Sequence, residues 1–341
     1  MIHVDRDSYP LAGFSSSEDK YLSLTTDRKA SRELVVGIIL SLQTTFGILG
    51  NFSLLYHYLF LYFTGSRLRS TDLIVKNLIV ANLLVLLFSG IPHTMSSFGW
   101  YQVYSDFGCR FFLYFRGVGR GVSISTTCLL SVFQAIMICP RKSGRADLKE
   151  KALKCVVPSI SLCWVLHMLV NVLYPMFVSS NWGNKNITNQ KSFGYCSAVR
   201  HDKTRDSLYA ALLSVPDVFS LVLMMWASGS MVFILYRHKQ RVKHLHRTNV
   251  SSRSSPESRA TKTILLLVST FVYFYTLSSI CYVCLALFHN PNWFILKISS
   301  IISLCFPTAS PFLFMSCDSS LFRLCFAWIR NTKFLNLLRN L

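Results

Sequence analysis

Three charged side chains stand where a greasy chain should have none. Arg116 and Arg120 lie four residues apart in FRGVGRGVS (115–123), inside an apolar run from Phe111 to Ile138. An arginine at the centre of a membrane helix costs about 2.5–3.5 kcal/mol on insertion scales, so two of them require partners. Asp217, directly after Pro216, is the carboxylate that a second apolar run (206–236) carries to mid-depth. At a rise of about 1.5 Å per residue, Arg120 falls about 16 Å beyond Cys109 and Asp217 about 16 Å beyond Asp206. Equal depth predicts an intramembrane ion pair, Arg120–Asp217, between two helices; the competing arrangement satisfies Arg120 with backbone carbonyls and water. Arg116 falls about 10 Å beyond Cys109 and has no acid at its depth. Its planar guanidinium suits a carboxylate, sulfate or carbonyl oxygen of a small ligand, while the competing arrangement snorkels it to the interface. Gly117, Gly119 and Gly121 read as small residues that let neighbouring helices approach closely.

The same inventory weighs against catalysis. Intramembrane aspartyl proteolysis needs two facing carboxylates, and Asp217 stands alone at mid-depth. There is no HExxH to hold zinc, and the glycines have no strand–loop–helix context in which to cradle a phosphate. Cys281 and Cys284 form a CxxC on an apolar helix without a partner His or acid, so the buried-hydrophobe reading is preferred. No enzyme activity, metal or cofactor is expected.

The elements that must position these charges are membrane helices. The chain of 341 residues is 52% hydrophobic and 15% charged, against about 25% charged in soluble domains, with a mean hydropathy of +0.40. Apolar stretches of membrane length recur at 34–63, 72–98, 109–138, 155–178, 206–236, 260–288 and 292–316. They predict an all-α bundle of seven membrane spans. Residues 1–33 form a polar tail without a signal-peptide core, and 317–341 form a second tail. Pro307 and Pro311 interrupt span 7, which membrane helices tolerate.

Twenty of the 35 Lys/Arg residues fall in the loops after spans 1, 3 and 5 and in the C-terminal tail. The positive-inside rule therefore sets the N-terminus outside and the C-terminus inside. The net charge of +20 is chiefly this topology signal facing anionic lipid; basic residues split among short loops do not suit nucleic acid. Cys109 and Cys196 then both face the oxidising side, which permits a disulfide between them. Asn186-Ile-Thr is the sequon on that side and the expected glycosylation site, whereas Asn51-Phe-Ser lies in span 1 and Asn249-Val-Ser in a cytoplasmic loop.

Longer motifs make the reading specific. GRGVSISTTCLLSVFQAIMICP (119–140), IVANLLVLLFSGIPHTMSSFG (79–99), GYCSAV (194–199), WASGSMVFILYRHKQRV (226–242) and SSPESRATKTILLLVSTFVYFYTLSSI (254–280) resemble the vomeronasal type-1 pheromone receptors. The resemblance runs from Ala30 to about Arg330. Bitter-taste receptors are a poorer fit, and a seven-span transporter would call for internal repeats. The resemblance implies a rhodopsin-like G-protein-coupled receptor in the plasma membrane. It also implies an outward-facing small-molecule pocket and an inhibitory-class heterotrimeric G protein as partner. Arg116 occupies the position, seven after the span-3 cysteine, that often contacts ligand in such receptors. His93 and Tyr282 are further candidate pocket residues.

Arg259 and Lys262, at the cytoplasmic start of span 6, are the candidate G-protein-facing residues. LFRLCFAWIRNTKF (321–334) reads as an amphipathic helix lying on the membrane, with Cys317 and Cys325 as candidate lipidation sites. The pattern also departs from rhodopsin-like receptors in general. Phe133-Gln134-Ala135 replaces Asp-Arg-Tyr, and Phe306-Pro307 replaces the span-7 Asn-Pro motif. Asn82 replaces the sodium-binding Asp, so weak or absent sodium regulation is expected. Lys297 lies too close to the end of span 7 for the retinal lysine of an opsin; Ser300 and Leu304 occupy the places seven before the two prolines.

Overall fold

A computed structural model describes residues 14–65, 69–100, 106–139, 145–177, 190–192, 197–199, 203–245, 265–278, 280 and 293–317. Span 1 is helix α1 (Phe14–Phe63). Span 2 is α2 (Ser70–Val85), a π turn (Leu86–Gly90) and α3 (Ile91–Ser97) in one rod. Spans 3, 4 and 5 are α4 (Asp106–Ile138), α5 (Arg145–Phe177) and α6 (Lys203–Leu245). The described part of span 6 is α7 (Leu265–Ser278), and span 7 is α8 (Trp293–Cys317). Six of these helices are long and apolar enough to cross a membrane, and α7 is a shorter apolar helix.

Two features depart from the expected boundaries. Helix α1 begins at Phe14, inside the segment read as a polar tail. Neither proline nor glycine occurs between Phe14 and Val36, so nothing in that stretch carries the usual helix-breaking penalty. The loop between spans 4 and 5 also carries a small antiparallel hairpin, β1 (Gln190–Ser192) with β2 (Ser197–Val199), pairing Gln190 with Val199 and Ser192 with Ser197.

Helix ends are set by local chemistry. Asp72 accepts the Arg69 backbone N–H at 2.8 Å and closes a capping box on span 2, which satisfies donors that the first turn leaves open. Span 2 ends at Gly99, whose φ of +85° suits a residue without a side chain. The Gly99 and Trp100 amides bond back to Ser96 and Met95, a Schellman stop. At the far end of span 3, Lys149 donates to the Met137 carbonyl at 2.8 Å, placing a cation where the helix dipole is negative.

Span 3 is the hub, packing against spans 2, 4 and 5. The main core fills that junction with Leu78, Ile79, Ile124, Leu130 and Met224, all buried, together with Phe271 and Phe306. Large apolar side chains such as Leu49, Leu162, Leu169, Phe219 and Trp226 point outward. A lipid environment accounts for that surface where water would not.

Polar side chains tie the helices together inside. Asn51 donates to the Pro307 carbonyl at 2.9 Å, which repairs backbone bonding near the proline and explains a buried sequon residue in span 1. Gln43 donates to the Ile301 carbonyl, and Trp164 donates to Asn77 at 3.0 Å. Asn82 donates to Ser310 at 2.8 Å and accepts from Ser123 at 2.9 Å. One amide therefore joins spans 2, 3 and 7. Asn82→Leu strands both hydroxyls and is expected to cost about 1–3 kcal/mol, read as a lower melting temperature of the purified protein; an unchanged melting temperature would rule out the three-way tie.

Candidate functional site

The central helix distributes FRGVGRGVS over three faces. Arg116, Arg120, Ser123 and Ile124 follow the four- and three-residue spacing of one helix face, and all four line a cavity of about 50 Å³. Gly117 and Gly121 face span 4, where a side chain added to them would meet Asn171 and His167. Gly119 faces span 2, against Leu84 and the Ala81 carbonyl. The arginines thus share one face and the glycines clear the other two.

The rest of the cavity comes from spans 2, 6 and 7. Ser89 and Val85 come from span 2 and Phe271, Phe274, Tyr275 and Ser278 from span 6; Ser303, Phe306 and Pro307 close it from span 7. Among the described residues the lining combines two guanidinium groups, serine hydroxyls and aromatic faces with the apolar side chains of Val85, Ile124, Ile302 and Pro307. Phe271 stacks on Tyr275 with centroids 5.7 Å apart and meets Phe306 edge-on at 4.5 Å, so the aromatic wall is a packed unit.

Arg120 and Asp217 come together around a third residue, Tyr275. The Tyr275 hydroxyl donates to Asp217 at 2.6 Å, and the Arg120 guanidinium lies over the Tyr275 ring at 4.9 Å. Two exposed ion pairs, Lys151–Asp147 and Lys154–Glu150, lie near the start of span 4. Tyr275 thus touches both Arg120 and Asp217, a contact that joins spans 3, 5 and 6. Depth counting finds helices at the same level but not the aromatic ring that projects between them. The available signal was a phenol in YFYTLSS (273–279), where a mid-membrane hydroxyl needs an acceptor.

His93 packs between spans 2 and 7. It is buried and is not among the cavity-lining residues; its Nδ1 lies 3.2 Å from the Ser300 hydroxyl of span 7. The π turn at Leu86–Gly90 adds a residue to the helix just before it, which rotates the following turn by about 100°. Next to it, Lys297 is buried and donates to Ser97 at 2.9 Å, and Ser97 donates to the His93 carbonyl. These contacts fasten span 7 to the end of span 2. Cys109 is buried and disulfide-bonded. Its expected partner Cys196 lies outside the described residues, as do Tyr282, Asn186, Arg259, Lys262 and Cys325. Cys317 is the last residue of α8.

A largely apolar cavity that carries two arginines inside a helix bundle, built around span 3, is a receptor-like arrangement. The model of the vomeronasal organ pheromone receptor family matches residues 34–327. This chain belongs to that family. It is 56% identical over 301 residues to vomeronasal type-1 receptor 4 of Homo sapiens, covering 88% of this chain and all of the relative. Vomeronasal type-1 receptor 2 of Homo sapiens is 53% identical over 83% of this chain and 72% of the relative. Vomeronasal type-1 receptor 100 of Rattus norvegicus is 34% identical over 80% of this chain and 83% of its own.

Among solved structures, squid rhodopsin superposes with a TM-score of 0.66 at 17% identity, covering 88% of this chain and 87% of its own. That likeness fixes the seven-helix receptor fold. The vomeronasal receptor is thus a chemosensory G-protein-coupled receptor of the plasma membrane and not an enzyme.

Proposed function

We propose that this vomeronasal receptor binds a small pheromone-like ligand in the cavity between spans 2, 3, 6 and 7 and activates a heterotrimeric G protein of the inhibitory class. The N-terminus, the Cys109–Cys196 disulfide and a glycosylated Asn186 then lie outside. The C-terminus and the Arg259/Lys262 start of span 6 lie inside, facing the G protein. The observation that carries the reading is the chemistry of the cavity: Arg116 and Arg120 opposite an aromatic wall of Phe271, Phe274 and Tyr275. Guanidinium and aromatic faces together suit an apolar molecule bearing an anionic or carbonyl oxygen.

A cavity of about 50 Å³ is far below the roughly 300–1,000 Å³ of a small-molecule pocket. Binding therefore requires the aromatic wall to part, which couples the ligand to span 6. In cells carrying an inhibitory-class G protein, a panel of small acids, sulfates and ketones should include compounds that lower cyclic AMP through this receptor. Arg116→Ala at unchanged surface level should weaken the potency of such compounds at least about tenfold, as expected from losing one charge-assisted bond, and Arg116→Lys should recover part of it. Equal potency in wild type and Arg116→Ala returns Arg116 to the interface.

A further inference from the structure

Span 6 brings Phe271, Phe274, Tyr275 and Ser278 to the cavity wall, at the i, i+3, i+4 and i+7 spacing of a single helix face. Other hydroxyls of this helix are engaged. Ser269 donates to the Leu266 carbonyl, Thr270 to that of Leu267 and Thr276 to that of Val272, and the Tyr275 hydroxyl donates to Asp217. Such back-bonding is the ordinary fate of a serine or threonine in a membrane helix. Ser278 is 3% exposed, yet its hydroxyl has no hydrogen-bond partner among the described residues. A buried polar group left unpaired is costly. Ser89 of span 2 is a second unpaired hydroxyl of the wall, but it lies in the π turn Leu86–Gly90, where the regular four-residue spacing to a carbonyl is lost. Ser278 lies on a regular helix, so its backbone does not account for its state.

We propose that Ser278 is a specificity-determining ligand contact, whose hydroxyl meets a neutral oxygen, carbonyl or alcohol, on an otherwise apolar ligand. The inference rests on the ligand site proposed above and names a group that selects within it. A serine hydroxyl can donate to a carbonyl and accept from an alcohol, whereas the guanidinium of Arg116 only donates. Val85, Ile124, Ile302 and the phenylalanines of the lining favour any apolar skeleton that fits, so discrimination falls to the few polar contacts. A buried hydroxyl sharpens that discrimination, because an analogue without the oxygen leaves it unpaired.

The test compares 2-adamantanone, 2-adamantanol and adamantane, one skeleton with and without oxygen. The readout is their saturable effect on the melting temperature of the purified full-length receptor in lipid nanodiscs. In wild type the two oxygenated probes are expected to half-saturate at about fivefold lower concentration than adamantane, as expected from one neutral hydrogen bond. In Ser278→Ala that preference is expected to disappear. Without any probe, Ser278→Ala should leave the melting temperature unchanged or raise it, because it removes an unpaired donor. Ser123→Ala, which loses the bond to Asn82, should lower it. A preference that persists in Ser278→Ala overturns the proposal, as does its absence from wild type or the lack of any saturable shift. A probe-free fall in Ser278→Ala as large as that in Ser123→Ala also overturns it and gives the hydroxyl a structural bond instead. No G protein and no Arg116 variant enters these measurements. A receptor that never lowers cyclic AMP therefore refutes the function proposed above and leaves this result standing, while agonists that need Arg116 and ignore Ser278 do the reverse.

Discussion

Gly119→Val, Gly121→Ala and Gly117→Ala are expected to destabilise the receptor in that order. The order follows from what each new Cβ meets. At Gly119 it meets the Leu84 Cβ at 2.8 Å and the Ala81 carbonyl oxygen at 3.0 Å, a root atom and a backbone atom that cannot turn away. At Gly121 it meets the His167 ring, with Cε1 at 2.6 Å and Cγ at 2.7 Å. That ring is held by a 2.8 Å hydrogen bond between Nε2 and Ser125, so it moves only by breaking the bond. At Gly117 it meets the Asn171 amide, whose end can rotate once its bond to the His167 carbonyl is given up. Overpacking a tight interface costs about 1–3 kcal/mol, and span 3 is the helix on which three others rest.

Surface level and melting temperature both report the loss. His167→Ala added to Gly121→Ala should restore part of it, because the Cβ then has room. The same addition should do nothing for Gly119→Val, which faces span 2. An equal loss at all three positions, or rescue of Gly119→Val by His167→Ala, would refute the three-face assignment of FRGVGRGVS.

The sequence resolves some of this site and not the rest, for identifiable reasons. Length and apolarity mark the spans because a bilayer imposes one length scale, and α4, α5 and α8 finish at Ile138, Phe177 and Cys317, within a residue of the expected span ends, although α5 starts well before residue 155, at Arg145. The membrane-length part of α1 is Ala30–Phe63, close to the expected 34–63, while the helix itself begins at Phe14, because polarity marks where the membrane ends and not where the helix does. Four-residue spacing correctly puts Arg116 and Arg120 on one face, and the small residues correctly mark close packing. Which glycine faces which helix depends on the partner side chains, Asn171 and His167 on one side and Leu84 on the other, and nothing in FRGVGRGVS names them.

The π turn before His93 is a backbone choice that LLFSGIP signals only weakly through Gly90 and Pro92. Tyr275 is missed because the depth argument compares charges, and a phenol carries none. Its contribution is geometric: it reaches from span 6 to Asp217 while its ring faces Arg120. The two buried serines of the cavity, Ser89 and Ser278, look in sequence like any hydroxyls of a membrane helix, which commonly bond back to their own backbone; only packing shows that these two do not.

The Tyr275 contact itself gives the second large effect. Asp217→Ala is expected to cost about 3–5 kcal/mol, the usual loss when one partner of a buried charged contact is removed, with the partial exposure of these groups favouring the lower end. Arg120→Leu added to Asp217→Ala should recover part of that, because the interior then holds one uncompensated charge fewer. Tyr275→Phe separates this contact from a direct pair. It keeps the ring under Arg120 and against Phe271 and removes only the 2.6 Å bond to Asp217. If Tyr275 carries the connection, Tyr275→Phe loses about 1–3 kcal/mol, and the combination with Asp217→Ala is no worse than Asp217→Ala alone.

Additive losses in that double mutant would mean the two residues act separately, and a silent Tyr275→Phe would restore the direct Arg120–Asp217 pair. The bond also links span 5 to span 6 in a receptor that has Phe133-Gln134-Ala135 in place of the Asp-Arg-Tyr expected of rhodopsin-like receptors in general. The Tyr275–Asp217 bond is a restraint that ties span 6 to span 5. Tyr275→Phe is therefore expected to raise ligand-independent G-protein activation at matched surface level, a change that simple loss of stability would not produce.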